Sequence, residues 1–314
     1  MSDTSLTVLI CSNRWSETFE FLINSLRNQQ WQTADRVLIV NNGMSAEDLA
    51  ALQVSLSSLP FPSNIIDEPI PGLGYARRTG FLSCATQWIL LLDDDNSLSA
   101  DAITAFRDFA SAHEGIGGIC PRITAIWDQD VADWIQDFGR RYCLSVTESG
   151  RFGPTFGETI WPPGTTCLLR PPGGGMLIRT SVAQTFVKEF GGRDDILKLA
   201  RTKGSLGGCE DAIIYSFVGQ MGYGAAYVPS IHIAHHLPVH RSKWSYLVKI
   251  NNDMMISYGT YDRLVSPLFY SKLKRLKGWA INTLRNLTTQ PCGPAPSYLK
   301  LVRAQGYLRG FLGL

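Results

Sequence analysis

This sequence predicts an α/β fold built on a mostly parallel central sheet with flanking helices. Two observations carry that expectation. Short apolar runs alternate with amphipathic stretches through the first 120 residues, and each of the first four runs is followed at its carboxyl end by polar, charged or glycine-rich residues. Strands of about five residues alternating with helices of about ten or more make βαβ units and a parallel sheet. Ligands of such sheets bind beyond the carboxyl ends of the strands.

The elements follow in order. "LTVLIC" (6–11) is the first strand and 17–29 the first helix. "RVLIV" (36–40) and "SNII" (63–66) are the next strands, separated by a helix over 45–58. A helix over 73–85 leads to "WILLL" (88–92), then a helix over 100–112 and the strand "GIGGIC" (115–120). From 121 to 172 the chain turns to Gly, Pro and Trp without a helical period and reads as a β-rich insertion. "GGGMLIRTSVAQTF" (173–186) is a turn, a strand and a helix, "CEDAIIYSFVGQMG" (209–222) a helix ended by Gly222, and "GAAYVPSIHIAHH" (224–236) a strand segment. Beyond Trp244, helical stretches over 242–258, 267–288 and 298–310 are separated by proline-containing breaks. The expected organisation is a domain over 1–240, made of 1–120, the insertion 121–172 and 173–240, followed by a basic helical extension over 241–314.

The net charge of +2 conceals an asymmetry. Residues 241–314 hold twelve Lys or Arg against only Asp253 and Asp262, so an acidic body carries a basic tail. With the body acidic and no recognised motif, a nucleic-acid partner is not expected. The tail segment "LFYSKLKRLKGWAINTL" sets Lys272, Lys274, Arg275 and Lys277 beside Leu and Trp, a pattern suited to an anionic membrane surface, or to a helical cap with a basic solvated face. Seven scattered cysteines without a C-x-x-C pair argue against a disulfide framework and fit a reducing compartment. The N-terminus has no signal-like pattern, and nowhere do about 18 apolar residues run together, so the expected location is cytoplasmic, with peripheral contact at the inner membrane face through the tail.

The chemistry starts at the strand ends. After 88–92 come Asp93, Asp94 and Asp95, three like charges that a bound cation keeps ionised beside an apolar strand. Oxygen ligands of this kind suit Mg2+ or Mn2+ with phosphate oxygens in the open positions. An acidic turn capping the helix near Ser99 is the plainer explanation. The placement of this triplet beside "SNRW", "NNG" and "DEPIPGLGYARR" favours a metal and phosphate site.

At these residues the sequence resembles the inverting family 2 glycosyltransferases of the GT-A fold, from about residue 6 to 236. "LLLDDDN" looks like that family's D-x-D motif, with Asp93 and Asp95 at the motif positions and Asp94 the variable middle residue. The resemblance implies that Asp93 faces the nucleotide ribose and that Asp95 binds the divalent ion. "PGLGYARRTGF" is similar to the family's G-x-x-x-A-R-N-x-G stretch, which implies donor-side roles for Gly72 and Arg77, with Arg78 where Asn is usual. "LIVNNG" takes the place of V-D-N-G-S, with Asn41 replacing an acidic base-reading residue and Asn42 following it. An Asn side chain still offers a carbonyl to a pyrimidine N3–H. An Asn-Gly turn is the structural alternative. "CSNRW" stands where the family has P-T-Y-N-R, which implies that Cys11, Ser12, Asn13 and Arg14 line the base pocket.

On the acceptor side, "GGGMLIR" looks like the family's G-x-x-x-L-x-R strand, so Gly174 and Gly175 are expected to let substrate approach the backbone. "GGCEDAIIYSF" carries the family's E-D pair as Glu210 and Asp211, without the usual continuation, and the resemblance implies that Asp211 is the general base. First-turn acids are also what a helix dipole favours. "YVPSIHIAHH" aligns His235 with a histidine that completes the metal shell; His232, His236 and His240 lie nearby. The resemblance therefore implies a nucleotide-diphospho-sugar donor, a UDP- or TDP-sugar foremost, and a glycan or lipid-linked hydroxyl acceptor. Two rivals stand beside it: a sugar nucleotidyltransferase, for which "CSNRW" lacks the G-x-G-T-R loop, and a relative that binds donor without turning it over.

Overall fold

The structure is a computed structural model of the 314-residue chain and describes residues 4–147, 157–164, 171–264, 272–288 and 293–314. Cys167 and Cys292 lie outside those residues, and so do the side chains of Lys272, Lys274 and Arg275. In chain order the elements are β1 (Leu6–Ser12), α1 (Glu17–Arg27), β2 (Arg36–Asn41), α2 (Ala46–Ser57), β3 (Ser63–Asp67), α3 (Leu73–Ser83), β4 (Trp88–Leu92), β5 (Asn96–Leu98), α4 (Ala102–Ala112) and β6 (Ile116–Trp127). They continue with α5 (Asp133–Tyr142), β7 (Thr159–Trp161), β8 (Met176–Arg179), α6 (Thr180–Phe190), α7 (Asp194–Leu197), α8 (Glu210–Gln220), β9 (Gly224–Leu237), α9 (Trp244–Leu264), α10 (Lys272–Thr288) and α11 (Pro294–Leu312).

The described strands form one mixed sheet in the order β3-β2-β1-β4-β8-β6-β9-β5, with β7 on β9. The first four are parallel, whereas β8 runs antiparallel to both β4 and β6. This is the α/β class expected, with a parallel half that carries the early strand ends and an antiparallel half that brings the later segments to the same edge. Every residue of β4 is buried, as a parallel strand covered on both faces requires. On one face Val8, Ile10, Val37, Ile39 and Leu90 pack with Phe19, Leu22, Ile23 and Phe106 of the helices. On the other, a Cβ at Gly80 of α3 would fall on the Leu9 side chain, so the glycine sets how closely that helix lies on the sheet. Ser16 and Ser45 cap α1 and α2 by accepting N–H bonds from Phe19 (3.2 Å) and Asp48 (3.1 Å).

The chain divides into two compact units. One comprises Met1–Ile126, Ser145–Leu197 and Glu210–His236; the other comprises Trp127–Leu144, Lys198–Cys209 and Leu237–Leu314. In the second, α5, α9 and α11 enclose a small core of Phe138, Cys143, Leu247, Ile250 and Leu299. Gly259, Gly306 and Gly310 let the backbones of α9 and α11 come close, because a Cβ at each would strike the carbonyl of Tyr307, Asn252 or Ile256.

Two expectations change. The stretch read as lacking helical period contains α5, whose Trp134, Ile135 and Phe138 give it an apolar face that packs in this core. The last helix begins at Pro294 rather than 298, because prolines in a first turn have no intrahelical N–H to lose. Among the described residues Cys11, Cys84, Cys120, Cys143 and Cys209 form no disulfide. No described helix is long and apolar enough to cross a membrane.

Candidate active site

Beyond Leu92 the chain folds into a tight turn. The Asp93 N–H donates to Asn96 Oδ1 (2.8 Å) and the Asn96 N–H returns to the Asp93 carbonyl (3.1 Å). This turn sends the three adjacent carboxylates to three different partners. Asp93, a third exposed, lies 3.4 Å from the Arg77 guanidinium. Asp94 accepts a hydrogen bond from the Ser12 hydroxyl at the end of β1. Asp95 is buried, with Oδ1 3.3 Å from His235 Nε2. The sheet fixes that last pair, since Asn96 is the register partner of His235 and the His236 N–H donates to the Asp95 carbonyl (2.7 Å). Burial and the neighbouring Asp95 push the Asp94 carboxyl up to about 6.

Arg77 is the hub. It is buried in α3 and pairs with Glu210 through one nitrogen while the other faces Asp93. Burial by itself would lower its pKa, but Glu210, Asp93 and Asp211 outweigh that and hold it above the usual arginine value. Gly173 and Gly174 cover this cluster: a Cβ at Gly173 would meet the Arg77 guanidinium, and one at Gly174 the Asp93 carboxylate. Gly175 has φ +121°, a conformation only glycine adopts freely, and its N–H donates to the Leu91 carbonyl (2.7 Å). Gly173 and Gly174 thus make room for the protein's own charged side chains, and Gly175 for Ile123 and Ile233. Gly173, which the sequence reading passed over, matters as much as Gly174.

Asp211 stands in the first turn of α8 beside Glu210. Its oxygens accept the Gly173 N–H (2.9 Å) and the Ala212 N–H (2.7 Å). Burial foremost, then the Glu210 charge, push its carboxyl up to about 7 despite Arg77 and these hydrogen bonds. A carboxylate tuned near neutrality, and fixed by two backbone donors, suits a general base.

The donor-side residues divide. Ser12 accepts the Arg14 N–H (3.3 Å), and Asn13 and Arg14 are exposed beside it. Asn42 braces the loop before α3: its amide nitrogen donates to the carbonyls of Glu68 and Ile70 (2.8 Å each), and its carbonyl accepts the Gly72 N–H (2.8 Å). Gly72, at φ +139°, then starts α3. The Asn41 carbonyl is held in a local turn by the N–H groups of Gly43 (3.2 Å) and Met44 (2.8 Å), and its amide donates to Asp67 Oδ1 (2.8 Å). The acceptor expected to face a base is therefore already engaged, as in the plain Asn-Gly turn. Asp67, Glu68 and Asn96 have structural partners here that no sequence motif announced. Glu68 is buried and receives Arg78 (3.2 Å), Thr79 and the Ile70 N–H (2.8 Å).

His232 and His236 are bonded to Thr124 (2.7 Å) and Ser97 (2.8 Å). Among the described residues no group of three or more His, Cys, Asp or Glu is gathered to hold a metal by itself. Asp95 and His235 offer one oxygen and one nitrogen at 3.3 Å. Two neighbouring ligands on an octahedral ion, with bonds of about 2.1 Å, stand about 3 Å apart, so this pair fits two positions of a divalent ion with the rest left for phosphate and water.

A family profile described as glycosyl transferase family 2 matches residues 7–167. Among solved structures, S. aureus TarS 1-349 is similar over 98% of this chain and 90% of its own, at 11% identity and a TM-score of 0.52. The mannosyltransferase PcManGT from Pyrobaculum calidifontis, in complex with GDP-Man and Mn2+, is similar over 100% and 90%, at 12% identity and 0.58. GalNAc-T7 with UDP, GalNAc and Mn2+ is similar over 100% of this chain and 57% of its own, at 14% identity and 0.56. At such identities the likeness is one of fold. Comparison with curated proteins gives no match.

Proposed function

This chain belongs to glycosyl transferase family 2, and from that premise we propose that it moves a sugar from a nucleotide-diphospho-sugar to a hydroxyl of a glycan or lipid-linked glycan, with inversion at the anomeric carbon. The observation that supports this most is the convergence of Asp93, Arg77 and the Glu210–Asp211 pair beneath Gly173 and Gly174 at the carboxyl edge of the sheet. Asp211 takes the proton of the acceptor hydroxyl as its oxygen attacks, in one displacement without a covalent enzyme intermediate. Arg77 holds Asp93 and Glu210 in place, and Ser12 holds Asp94, so the donor meets a prearranged wall. Asp95 and His235 would hold Mn2+ or Mg2+, which when bound neutralises charge on the leaving diphosphate. Two of the similar structures contain Mn2+.

The test is thermal stabilisation of the full chain by UDP-, TDP- and GDP-sugars with and without Mn2+. A ligand at 100 times its Kd stabilises by about 2.7 kcal/mol, roughly a 5 °C rise for a chain of this size. At least one nucleotide sugar is expected to give a Mn2+-dependent rise that Asp95→Ala abolishes. No Mn2+-dependent rise with any of them overturns the reading.

A peripheral membrane contact through the C-terminal helices belongs to the same proposal. Along α10 the residues Lys277, Ile281, Leu284 and Arg285 recur at i, i+4, i+7 and i+8 and are all exposed, which places apolar and basic side chains on one open face. Such a face suits anionic headgroups over an apolar boundary. Ile281→Glu with Leu284→Glu is expected to release the protein from liposomes containing phosphatidylserine in a sedimentation assay. Equal sedimentation of the variant and the unaltered chain removes this part of the proposal.

A further inference from the structure

We infer that Asp67, at the end of β3, is the residue that reads the donor's nucleobase, accepting a ring N–H from a base in which that N–H adjoins a carbonyl: uracil, thymine or guanine. The inference rests on the nucleotide-sugar reading and specifies it. Three strands end in register, with Ser12 of β1 opposite Asn41 of β2 and Asn41 opposite Asp67 of β3. Facing residues of adjacent strands point to the same side of a sheet, so these side chains form one polar row. Hydrogen bonds knit its two ends, from Ser12 to Asp94 and from Asn41 to Asp67. The row spans β4 to β3, three inter-strand spacings or about 14 Å, long enough for a ribose and a base laid outward from a diphosphate at Asp95.

Within that row the acceptors are limited. The Asn41 carbonyl takes the Gly43 and Met44 N–H groups, and those two donors together with the Asp67 carboxylate fix which end of the amide is oxygen. Asp67 is exposed, and Asn41 occupies only its Oδ1. It is the carboxylate of the row farthest from Asp95. A second hydrogen on the Asn41 amide lies beside it, so the pair presents a donor next to a charged acceptor. A carbonyl beside an N–H, as in uracil, thymine and guanine, complements that pair, and a charge-assisted bond to the N–H is the stronger half. The amide in β2 thereby steers a carboxylate in β3.

Calorimetric titration of the full chain in Mn2+ tests this, using UDP, TDP, GDP, CDP and ribose 5-diphosphate, which has no base. The unaltered protein is expected to bind at least one of UDP, TDP and GDP about tenfold or more tighter than CDP and ribose 5-diphosphate. Asp67→Ala is expected to lose about 10- to 100-fold for that nucleotide, the range of one hydrogen bond to a charged group, with ribose 5-diphosphate unchanged. Since Asp67 is exposed, the variant should melt with the unaltered chain. Retention of the full base preference by Asp67→Ala overturns the assignment while leaving the donor site in place. Failure of the unaltered protein to bind any of the five compounds overturns the nucleotide-sugar reading itself, and the two failures are thereby told apart.

Discussion

Asp211→Asn is expected to lower kcat by about 10²- to 10⁴-fold, the usual worth of a positioned general base, while Kd for the donor stays within about threefold. The substitution keeps the volume and, through the one amide oxygen, the bond from the Gly173 N–H, while it gives up the Ala212 bond and the ability to take a proton. A radiolabelled-sugar transfer assay with a donor-binding titration on the same preparation separates the two effects. Full activity in this variant removes the base assignment. The same carboxyl predicts the pH profile. With its pKa pushed up to about 7, chiefly by burial, kcat/KM should fall about tenfold per pH unit below 7 and level off above it. Stability moves the other way. The folded pKa lies above the unfolded value, so the contribution of Asp211 to stability is fully present below about pH 4 and is lost as pH rises through about 7. At pH 8 the ionised base opposes folding, and Asp211→Asn should melt higher than the unaltered protein. A variant that is at once more stable and inactive separates a functional carboxylate from a structural one.

Arg77→Met carries the second large effect, on stability as well as on transfer. Removing the guanidinium leaves Glu210 buried without its counter-charge and frees Asp93 from its 3.4 Å partner. Breaking a buried pair on one side costs about 3–5 kcal/mol, a fall of about 6 °C or more in Tm. Glu210→Gln in the same chain removes the stranded charge and should restore most of the melting temperature. Transfer should stay lost, because Asp93 has no anchor in either variant. Recovery of activity together with stability in the double variant, measured by melting and transfer assays, rejects a positioning role for Arg77. An unchanged melting temperature in the single variant rejects the buried pair.

Much of the fold is legible because βαβ units write themselves locally. A parallel strand buried on both faces, such as Trp88–Leu92, must be a continuous apolar run, and the residue after it must meet solvent or ligand. That is why the carboxylates following β4 and the polar residues ending β1 and β2 could be placed together before any coordinates. The helix α5 escaped because ten residues with Trp134, Ile135 and Phe138 give little period against a Gly- and Pro-rich background, and its stability comes from the core it packs into. The orientation of Asn41 escaped for another reason. Its amide can face a ligand or fold back on its own turn, and the choice depends on Asp67, 26 residues later and one strand over.

What the sequence by itself determined is the strand order of chemistry: which carboxylates end which strand, and where the helix with Glu210 and Asp211 begins. Those follow from local rules, since burial, turn geometry and capping act over a few residues. Only the tertiary structure decided the partners. Asp93 meets Arg77, Asp94 meets Ser12, Asp95 meets His235, and Asp67 meets Asn41, in pairs 16 to 140 residues apart. Adjacent like charges in one turn point in different directions, and each direction is set by sheet register and by helix packing against glycine, which no span of a few residues contains.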